Sequence, residues 1–443
     1  MTVIGCGYLG AVHAAAMAAI GHDVVGLDTD EDRIALLVQG RTPFYEPGLD
    51  ELLAESLATG RLRFTTSYAE AAAHGEIHFL CVGTPQRPDS NAADLTAVFA
   101  AMGSLAPLLD SPCLVVGKST VPVGTAEVLR ADLAATAPAG TGVRLVWNPE
   151  FLREGFAVRD TLEPDRLVVG ADDPAHAEEL AAVYAPILER GTPWLVVDLA
   201  TAQLVKSAAN AFLATKISFI NAMAELCEAT GADVVALADA IGHDARIGRR
   251  FLGAGLGFGG GCLPKDLRGF MARAEELEVP EALAFLSDVD DINLRRRRHA
   301  VDVAVELLDG DPAGKHVAVL GAAFKPDSDD IRDSPALDVA DALHDLGATV
   351  VVHDPRALDN ARRTRPELAY ADDVLDAVRG AHVVLHLTEW ADYRDLDPVE
   401  LAGLVAVPRA LDARNSLDAP RWLAAGWDLR ALGRPRLSDQ VRA

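Results

Sequence analysis

The first 28 residues contain the pattern that most restricts how this chain can fold. A short apolar strand, Val3-Ile4, leads into the glycine turn Gly5-Cys6-Gly7-Tyr8-Leu9-Gly10, an alanine-rich helix, a second apolar strand and then Asp28. A GxGxxG turn alone is a weak signal, but here both strands, the helix and the acid have the spacing of a dinucleotide-binding βαβ unit. The pattern therefore predicts a doubly wound α/β sheet at the amino terminus.

Each part of this turn has a physical role in holding a pyrophosphate. Gly5 and Gly7 permit the tight turn and the close approach of the phosphates, and Gly10 lets the helix pack on the strand. The amino terminus of the helix stabilises the negative phosphates. Asp28 can accept hydrogen bonds from both ribose hydroxyls, and its charge repels a 2′-phosphate. NAD is thus favoured over NADP, and a glycine turn in some other α/β unit is the alternative.

Polar loops follow three further apolar runs in the same part of the chain. The runs cover residues 77–82, 113–116 and 144–147, and each stops at a polar or proline-bearing segment. In a parallel sheet such segments meet at the carboxyl ends of the strands, where ligands bind. The positions expected beside the nicotinamide are therefore Thr84, Thr120 and the segment 150–154.

Length and charge exclude several classes of protein. A chain of 443 residues is too long for one core, so two or three domains are expected. The net charge of −26 disfavours nucleic acid and anionic lipid as partners. No apolar run reaches the length of a membrane span, and no export signal is recognisable at the amino terminus. We therefore expect a cytoplasmic protein that contacts neither membrane nor nucleic acid.

The five cysteines argue against a disulfide framework and against a metal site, because they are odd in number, scattered and without a CxxC pair. Cys262 differs from the rest because it lies in Gly-Phe-Gly-Gly-Gly-Cys-Leu-Pro-Lys-Asp at 257–266. Glycines let the backbone approach a ligand closely, and a thiol there can attack a carbonyl and hold an acyl group. A small buried thiol that serves packing is the alternative.

Lysine is rare in this chain, so the positions that retain it are informative. Lysine supplies a compact, mobile ammonium that arginine cannot imitate. Lys206 and Asn210 lie one turn apart on a helix predicted from Leu199 to about residue 230, so both can point at one oxygen-rich target. Lys216 is interpreted as a solvated side chain, and Lys118 is given no role.

A helical middle and a second sheet follow the first unit. The long helix suits a two-fold subunit interface, and the run Arg295–Arg298 is interpreted as a solvated or interfacial face. From Lys315 the strand pattern resumes and predicts a second, smaller doubly wound unit. This unit lacks GxGxxG, so no second dinucleotide is expected, while Lys325 and Arg332 lie where a phosphate would bind. A mobile tail without motifs is expected from about residue 434, and the predicted domains are 1–197, 198–300 and 301–443.

These motifs together resemble those of a known family, the UDP-glucose/GDP-mannose dehydrogenases. The resemblance implies two Rossmann-like doubly wound domains joined by a central helical dimerisation region, and hence a homodimer. It covers nearly the whole chain in order. The matching segments are GCGYLG at 5–10, FYEPGL at 44–49, VGTP at 82–85, STVP at 119–122, NPEFLREG at 148–155, Lys206 with Asn210, GFGGGCLPKD at 257–266, and FKP at 324–326 with Arg332.

The resemblance implies a four-electron oxidation of the C6 alcohol of a nucleotide sugar to a carboxylate, using two NAD in succession. Cys262 would attack the C6 aldehyde to give a thiohemiacetal, which loses a second hydride and becomes a thioester that water hydrolyses. The thiol is suited to this step because an aldehyde has no good hydride to give, whereas its tetrahedral adduct does.

The resemblance also implies roles for the polar residues. Lys206 and Asn210 would stabilise the developing C6 oxyanion. Asp266, with Thr120, would order a water for proton transfer, and Glu154 would assist thioester hydrolysis.

The binding residues follow from the same resemblance. Those implied for the cofactor are Gly5, Gly7, Tyr8, Leu9, Gly10, Asp28, Arg33, Thr84, Thr120, Glu154, Lys265 and Arg332. Those implied for the substrate are Glu150, Phe151, Leu152, Arg153, Glu154, Lys206, Asn210, Arg246, Phe251, Leu252, Gly253, Ala254, Gly255, Gly259 and Lys325. Arg246 would reach the sugar nucleotide of the neighbouring subunit, so the site would depend on the dimer.

The resemblance favours one nucleotide sugar over others. The segment 259–266 looks more like that of members that act on UDP-glucose, so UDP-glucose is the expected substrate. GDP-mannose or a UDP-N-acetyl sugar is the alternative. Two other classes are a two-electron hydroxyacid dehydrogenase, which would need no nucleophilic cysteine, and a non-catalytic sugar-nucleotide sensor.

Overall fold

The computed structural model describes residues 1–435. Of the predicted mobile tail, residues 436–443 lie outside the described residues. The chain divides into two compact units. Unit 1 comprises Met1–Ala209 and Arg268–Pro280, and unit 2 comprises Asn210–Leu267 and Glu281–Ala443.

Unit 1 is built around an open, mostly parallel sheet. Its strands, in chain order, are β1 (Thr2–Ile4), β2 (Val24–Leu27), β3 (Leu62–Thr65), β4 (Ile77–Leu80), β5 (Cys113–Gly117), β6 (Val143–Trp147), β7 (Leu167–Gly170) and β8 (Trp194–Val197). Their order across the sheet is β3-β2-β1-β4-β5-β6-β7-β8. All neighbours are parallel except β6 and β7, which pair antiparallel at Trp147 and Gly170. Strands buried on both faces, such as β5, explain the continuous apolar runs of the sequence.

Helices cover both faces of this sheet, with one apolar cluster on each side. Side-chain oxygens of Asp30, Ser67 and Asp173 cap three of them. The helices are α1 (Tyr8–Ala19), α2 (Glu31–Val38), α3 (Leu49–Ala58), α4 (Tyr68–His74), α5 (Thr96–Leu105), α6 (Thr125–Thr136), α7 (Ala157–Leu162), α8 (Pro174–Val183) and α9 (Ala185–Leu188), with 3₁₀ turns at Ala106–Leu108 and Gly140–Gly142.

Two helices pass from one unit into the other. These are α10 (Leu199–Thr230) and α12 (Leu263–Glu276), and between them lies α11 (Val234–Gly242) in unit 2. The observed bounds of α10 agree with the long helix predicted from the sequence. A 3₁₀ turn at Pro280–Leu283 precedes α13 (Phe285–Leu307). No helix among the described residues combines the length and apolar character needed to cross a bilayer.

Unit 2 contains a second, fully parallel sheet. Its strands are β9 (His316–Leu320), β10 (Thr349–His353), β11 (Ala369–Tyr370), β12 (Val383–His386), β13 (Arg409–Asp412) and β14 (Asp428–Ala431). The order is β11-β10-β9-β12-β13-β14, which repeats the order of the first six strands of unit 1. The surrounding helices are α14 (Pro335–Asp345), α15 (Leu358–Thr364), α16 (Val374–Val378), α17 (Ala391–Arg394), α18 (Pro398–Ala402) and α19 (Ala419–Ala424).

The predicted fold class is confirmed: two doubly wound α/β sheets are present, with a helical region between them in the sequence. The domain limits at 197/198 and 300/301 stay predictions. Two strands were not predicted from the sequence, β7 and β8, which extend the first sheet beyond the six strands of a dinucleotide-binding unit.

One sequence interpretation is wrong. The run Arg295–Arg298 is not uniformly solvated or interfacial, because Arg296 is fully buried and Arg297 is 5% exposed. Buried positions along α13 recur every three or four residues, and this spacing brings both arginines onto the face that packs against the rest of unit 2. Arg296 meets Glu228 at 3.3 Å, and Arg297 meets Asp333 at 2.6 Å, so each charge is buried with a carboxylate partner.

Candidate active site

The glycine turn lies between β1 and α1. The Gly5 amide donates to the Leu27 carbonyl at 2.8 Å, and its φ of +87° is a conformation that favours glycine. A Cβ at Gly10 would overlap the Gly5 carbonyl oxygen, so glycine is needed there for the helix to pack on the strand. α1 begins directly after Gly7, which provides no side-chain cap. The first amides of this helix can therefore serve a pyrophosphate.

Asp28 stands at the end of β2, directly beside this turn. Its carboxylate accepts hydrogen bonds from the Cys6 amide at 2.8 Å and from the Asp30 amide at 3.0 Å. Arg33 Nη1 lies 2.9 Å from Asp28 Oδ2 and forms an ion pair with this carboxylate. The structure thus brings together Asp28 and Arg33, both of which the resemblance assigns to the adenosine end. The turn, the helix terminus and this carboxylate fit the pyrophosphate and ribose of NAD.

Thr84 and Thr120 also lie close together in unit 1. Thr84 follows β4 and Thr120 follows β5, and the Thr84 hydroxyl donates to the Thr120 carbonyl at 2.7 Å. The Ser119 hydroxyl donates to the Val82 carbonyl at 2.7 Å and joins the same two loops. The polar segments after neighbouring strands therefore meet at the carboxyl edge of the sheet, as the parallel topology requires.

Glu150 shapes the loop that follows β6. One of its carboxylate oxygens accepts from the amides of Phe151 and Leu152, at 2.6 and 2.7 Å. The other oxygen meets Lys118 Nζ at 3.3 Å, and the same Nζ donates to Asn148 Oδ1 at 3.1 Å. This loop carries the segment 150–154 that the resemblance assigns to the substrate.

Lys118 is a residue that the sequence analysis missed. It is 3% exposed, so its ammonium is buried among oxygens at the carboxyl edge of the sheet. Burial alone would lower its pKa, but Tyr184 and Glu150 beside it raise the pKa above the usual value. Its retention in a lysine-poor chain, immediately after a buried strand, was the signal that could have revealed it.

The remaining residues of this loop differ in their surroundings. Glu154 is buried, at 8% exposure, and the Phe151 ring lies 5.7 Å from Lys206 Nζ. Unit 1 therefore places Lys206 next to the segment 150–154. The guanidinium of Arg153 pairs with Asp160 at 2.7 Å. The side chain of Arg153 is thus engaged within the loop itself.

In unit 2, Cys262 is exposed directly before α12, whereas the other four cysteines are buried. None of the five, all of which are among the described residues, is in a disulfide. The exposure argues against the alternative of a thiol that serves packing. Asp266 lies one turn further, and its amide donates to the Cys262 carbonyl at 2.9 Å.

Asp266 is the centre of a polar cluster. One carboxylate oxygen accepts from Asn210 Nδ2 at 2.6 Å, and the other meets Lys265 Nζ at 2.5 Å. Asp266 is 8% exposed, as is Asn210, so this contact fixes the amide in one orientation. Asn210 on α10 and both Lys265 and Asp266 on α12 are therefore in contact, and the resemblance assigns all three to the site.

The glycine-rich loop before Cys262 is held by side chains that the sequence analysis missed. Asn293 accepts from the Phe258 amide at 2.7 Å and donates to the Phe258 carbonyl at 2.9 Å. Arg297 donates to the same carbonyl at 3.0 Å, and Arg414 donates to the Gly257 carbonyl at 2.8 Å. These contacts join residues far apart in the sequence, so no local pattern announces them.

Arg332 packs against the same loop. Its carbonyl accepts from the Gly260 amide at 2.9 Å, and a Cβ at Gly261 would overlap its guanidinium. Arg332 also pairs with Asp330 at 2.6 Å. Lys325 lies over the Phe324 ring, with Nζ 5.4 Å from its centroid. The predicted phosphate-binding loop after β9 thus lies beside the glycines that precede Cys262.

Arg246 and Lys216 stand before this loop in the sequence. The Arg246 side chain is 88% exposed and pairs with Asp244 at 2.6 Å. Lys216 was interpreted as solvated, and the structure leaves it partly exposed. Its Nζ donates to the carbonyls of Ile247 and Gly248 at 3.0 and 3.2 Å, because the turn leaves these two oxygens without helix partners.

The predicted site residues are divided between the two units. Unit 1 holds Gly5, Gly7, Tyr8, Leu9, Gly10, Asp28, Arg33, Thr84, Thr120, Glu150, Phe151, Leu152, Arg153, Glu154 and Lys206. Unit 2 holds Asn210, Arg246, Phe251, Leu252, Gly253, Ala254, Gly255, Gly259, Cys262, Lys265, Asp266, Lys325 and Arg332. Within unit 1 polar contacts join Asp28 to Arg33 and Thr84 to Thr120, and within unit 2 they join Asp266 to Asn210 and Lys265.

Family models match three successive parts of the chain. Residues 1–188 match the NAD binding domain of the UDP-glucose/GDP-mannose dehydrogenase family. Residues 200–295 match the central domain of this family, and residues 318–419 match its UDP binding domain.

Relatives and solved structures give the same family. A UDP-glucose 6-dehydrogenase of Rhizobium meliloti (strain 1021) is 41% identical over 437 residues, which are 98% of this chain and 99% of the relative. The structure of a UDP-glucose dehydrogenase from Pyrobaculum islandicum is 40% identical, covers 95% of both chains and has a TM-score of 0.88. The UDP-D-ManNAc dehydrogenase structure from Pyrococcus horikoshii is 25% identical, covers 98% of this chain and 99% of its own, and has a TM-score of 0.85.

Proposed function

This chain belongs to the UDP-glucose/GDP-mannose dehydrogenase family, and we propose that it oxidises UDP-glucose at C6 to UDP-glucuronate with two NAD per sugar. One observation carries the proposal. Cys262 is the exposed thiol among five cysteines, and it stands one turn from the cluster of Asp266, Asn210 and Lys265. A thiol in this setting suits covalent catalysis on a carbonyl group.

The amino-terminal sheet provides the proposed cofactor site. NAD bound there would supply the two-electron acceptor for each of the two oxidations. The turn at 5–10 receives the pyrophosphate, and Asp28 receives the adenosine ribose with Arg33 beside it. Further contacts are proposed for Thr84, Thr120, Glu154, Lys265 and Arg332, as the family resemblance implies.

Cys262 acts after the first oxidation has made an aldehyde. Its thiolate adds to the aldehyde carbon, and the carbonyl oxygen takes up a proton to give a thiohemiacetal. Loss of a hydride and of the hydroxyl proton converts this adduct into a thioester. Water then supplies a hydroxyl to the acyl carbon, the carbon–sulfur bond breaks, and the sulfur regains a proton.

Polar residues stabilise the charges that develop in these steps. We assign Lys206 and Asn210 to the C6 oxygen, since an ammonium and an amide can both donate hydrogen bonds and a fixed donor stabilises an oxyanion without reorganisation. The contact of 2.6 Å with Asp266 holds the Asn210 amide in place. Asp266 with Thr120 serves proton transfer through a water, and Glu154 activates the hydrolytic water.

The choice of UDP-glucose is supported by the relatives rather than by a base-specific contact. The relative from Rhizobium meliloti and the structure from Pyrobaculum islandicum both carry UDP-glucose in their names, at 41% and 40% identity. The structural likeness to a UDP-D-ManNAc dehydrogenase favours a UDP-N-acetyl sugar as the second candidate. Lys325 and the loop 251–255 are proposed to bind the nucleotide sugar in either case.

We also propose that the enzyme is a homodimer located in the cytoplasm. Exposed apolar side chains lie along α10 at Phe212, Phe219 and Leu226, at 65%, 47% and 57% exposure, and a second copy would bury them. In such a dimer the Arg246 guanidinium, which is exposed and paired with Asp244 at the surface, would reach the sugar nucleotide of the other subunit. The cysteines, none of which forms a disulfide among the described residues, suit a reducing compartment.

The test is the stoichiometry of NADH formation with each sugar nucleotide supplied separately. We expect two NADH and one uronate per UDP-glucose, and little product from GDP-mannose or UDP-N-acetylmannosamine. One NADH per sugar would favour two-electron chemistry, and none would favour a sensor. Faster turnover with the N-acetyl sugar would move the assignment to the second candidate.

A further inference from the structure

Glu46 is a buried carboxylate to which the proposed function gives no role. It belongs to the segment Phe44-Tyr45-Glu46-Pro47-Gly48-Leu49, ahead of α3, and is 5% exposed. One oxygen accepts from the Gly155 amide at 2.6 Å, and the other accepts from the Ala157 amide at 2.7 Å. A buried carboxylate with two such bonds holds its partners firmly, because charge-assisted hydrogen bonds are the stronger kind.

Tyr8 completes this contact. Its hydroxyl donates to Glu46, and the Gly155 amide lies 3.2 Å from the same hydroxyl oxygen. Tyr8 is the first residue of α1 and part of the glycine turn. Glu46 therefore links the loop that contains Glu154 to the cofactor turn.

The loop from Glu150 to Ala157 has little regular structure. The groups that accept hydrogen bonds from its backbone amides are therefore the ones that hold it in place. The amides of residues 151 and 152 bind the Glu150 carboxylate, and the amide of Arg153 binds Asp160 at 3.0 Å. Those of residues 155 and 157 bind Glu46. Carboxylates thus accept from five amides of the described loop, on both sides of Glu154.

Glu46 differs from the other two carboxylates in its distance along the chain. Glu150 and Asp160 lie within the loop or the helix that follows it and set the internal shape of the segment, and Glu150 also ties the start of the loop to Lys118. Glu46 lies 109 residues before Gly155, so it fixes where the loop sits on the domain. The position of Glu154, 8% exposed and next to Gly155, depends on this contact.

We propose that Glu46 is a positioning residue for Glu154 and thereby governs the hydrolysis of the thioester on Cys262. This inference rests on the proposed function, in which Glu154 takes a proton from the attacking water and passes it to the sulfur as the carbon–sulfur bond breaks. No hydride moves in this step. A displacement of the base by about 1 Å is enough to slow such a step about 100-fold.

The variant Glu46→Gln tests this assignment, because an amide keeps the size of the side chain but can accept through one oxygen atom alone. We expect a burst of two NADH per active site at a rate within about twofold of wild type, followed by steady turnover at least about tenfold slower. Intact mass spectrometry should show an acyl adduct on Cys262 during turnover. The kcat/KM for UDP-glucose reports the steps before hydrolysis, so it should stay within about twofold of wild type while kcat falls, which separates positioning from a loss of binding.

Two further variants keep the result interpretable. Glu70→Gln removes a half-exposed carboxylate from the same unit and should match wild type in burst and turnover. Tyr8→Phe removes one hydrogen bond to Glu46 and should show the same adduct at a lower level. If Glu46→Gln does not fold, as judged by circular dichroism, the adduct in Tyr8→Phe decides the question.

Three outcomes would overturn the inference. The first is a Glu46→Gln enzyme with wild-type turnover and no adduct. The second is a first turnover slowed as much as the steady state, which would indicate a general structural role. The third, where Glu46→Gln does not fold, is a Tyr8→Phe enzyme with no more adduct than wild type. Failure of the proposed function is distinct from all three, since wild type itself would then give fewer than two NADH per sugar.

Discussion

At the scale of single residues, Cys262 differs from the other thiols in its surroundings. The other four are buried, and burial raises the pKa of each of them, that of Cys81 to about 12. Thiols react with alkylating agents as thiolates, so burial and a raised pKa both slow the four. Iodoacetamide at pH 7.5 should therefore label about one thiol per native chain, and NADH formation should fall in step with the labelling.

Two comparisons make this labelling result decisive. The variant Cys262→Ser should take up almost no label while folded, and wild type in urea should take up label at all five cysteines. Full labelling of Cys262 with activity retained would exclude this thiol as the nucleophile. Equally fast labelling of a second cysteine would show that exposure does not select Cys262.

Residues that belong to a recognisable motif could be predicted from the sequence, and residues whose role depends only on distant partners could not. Asp28 was found because it ends a strand at a fixed spacing from the glycine turn, and the structure places it beside Cys6. Lys118 and Glu46 were missed as functional candidates. Their charges are matched by groups 30 to 111 residues away, and no local pattern encodes such pairs.

At the scale of elements, α10 and α13 are joined by a buried ion pair that should make stability depend on pH. Glu228 on α10 meets Arg296 at 3.3 Å and His299 at 2.8 Å, and it also accepts from the Gly433 amide at 2.6 Å. Burial would raise the pKa of Glu228, but His299 and Arg296 lower it to about 2. The folded state thus binds the Glu228 proton more weakly than the unfolded state does.

The sign of the effect follows from this lowered pKa. The contribution of Glu228 is present above the ordinary pKa of a glutamate and is lost as the pH falls from about 5 towards about 2. The Glu228 side chain is 24% exposed, so solvent screens part of the interaction. We therefore expect Glu228 to contribute about 2 kcal/mol to the free energy of unfolding, which is less than the pKa shift alone would give. Urea unfolding should show Glu228→Gln less stable than wild type by this amount at pH 7 and by less than about half of it at pH 3.

A neighbouring pair provides the control for this pH dependence. Glu225 meets Arg295 at 3.1 Å between the same two helices, but both side chains are more than one third exposed. Glu225→Gln should therefore cost less than about 0.5 kcal/mol at either pH. A destabilisation by Glu228→Gln that stays constant from pH 7 to pH 3 would contradict the assignment.

The elements themselves were predictable to different degrees. The apolar periodicity of α10 gave its bounds, Leu199–Thr230, because a helix of this length needs no distant partner to be recognised. The antiparallel junction of β6 and β7 was not foreseen, since strand direction depends on how the chain returns to the sheet. The buried arginines of α13 were misjudged for a related reason: their neutralising carboxylates, Glu228 and Asp333, lie on other elements.

At the scale of the whole molecule, the two sheets share one strand order but treat the equivalent carboxylates differently. Asp28 follows β2 and Asp354 follows β10, the second strand of each sheet. Asp28 accepts hydrogen bonds from two amides and one arginine. Asp354 accepts from four amides and from the indole of Trp390. A carboxylate has about four acceptor sites, so Asp28 retains room for a ribose hydroxyl whereas Asp354 is saturated by its own loops.

The proposed homodimer can be tested by complementation between two impaired variants. If Arg246 serves the sugar nucleotide of the other subunit, a heterodimer of Arg246→Ala and Cys262→Ala contains one site in which both residues are intact. Such heterodimers, purified through two different tags, should have about half the kcat of wild type at the wild-type KM for UDP-glucose, because one of two equivalent sites is restored. The Cys262→Ala homodimer should be inactive, and the Arg246→Ala homodimer should need about tenfold more UDP-glucose or higher. A heterodimer of wild type and Cys262→Ala gives the kcat and KM expected for one intact site. A mixed pair that keeps the raised KM of the Arg246→Ala homodimer for UDP-glucose would assign Arg246 to its own subunit.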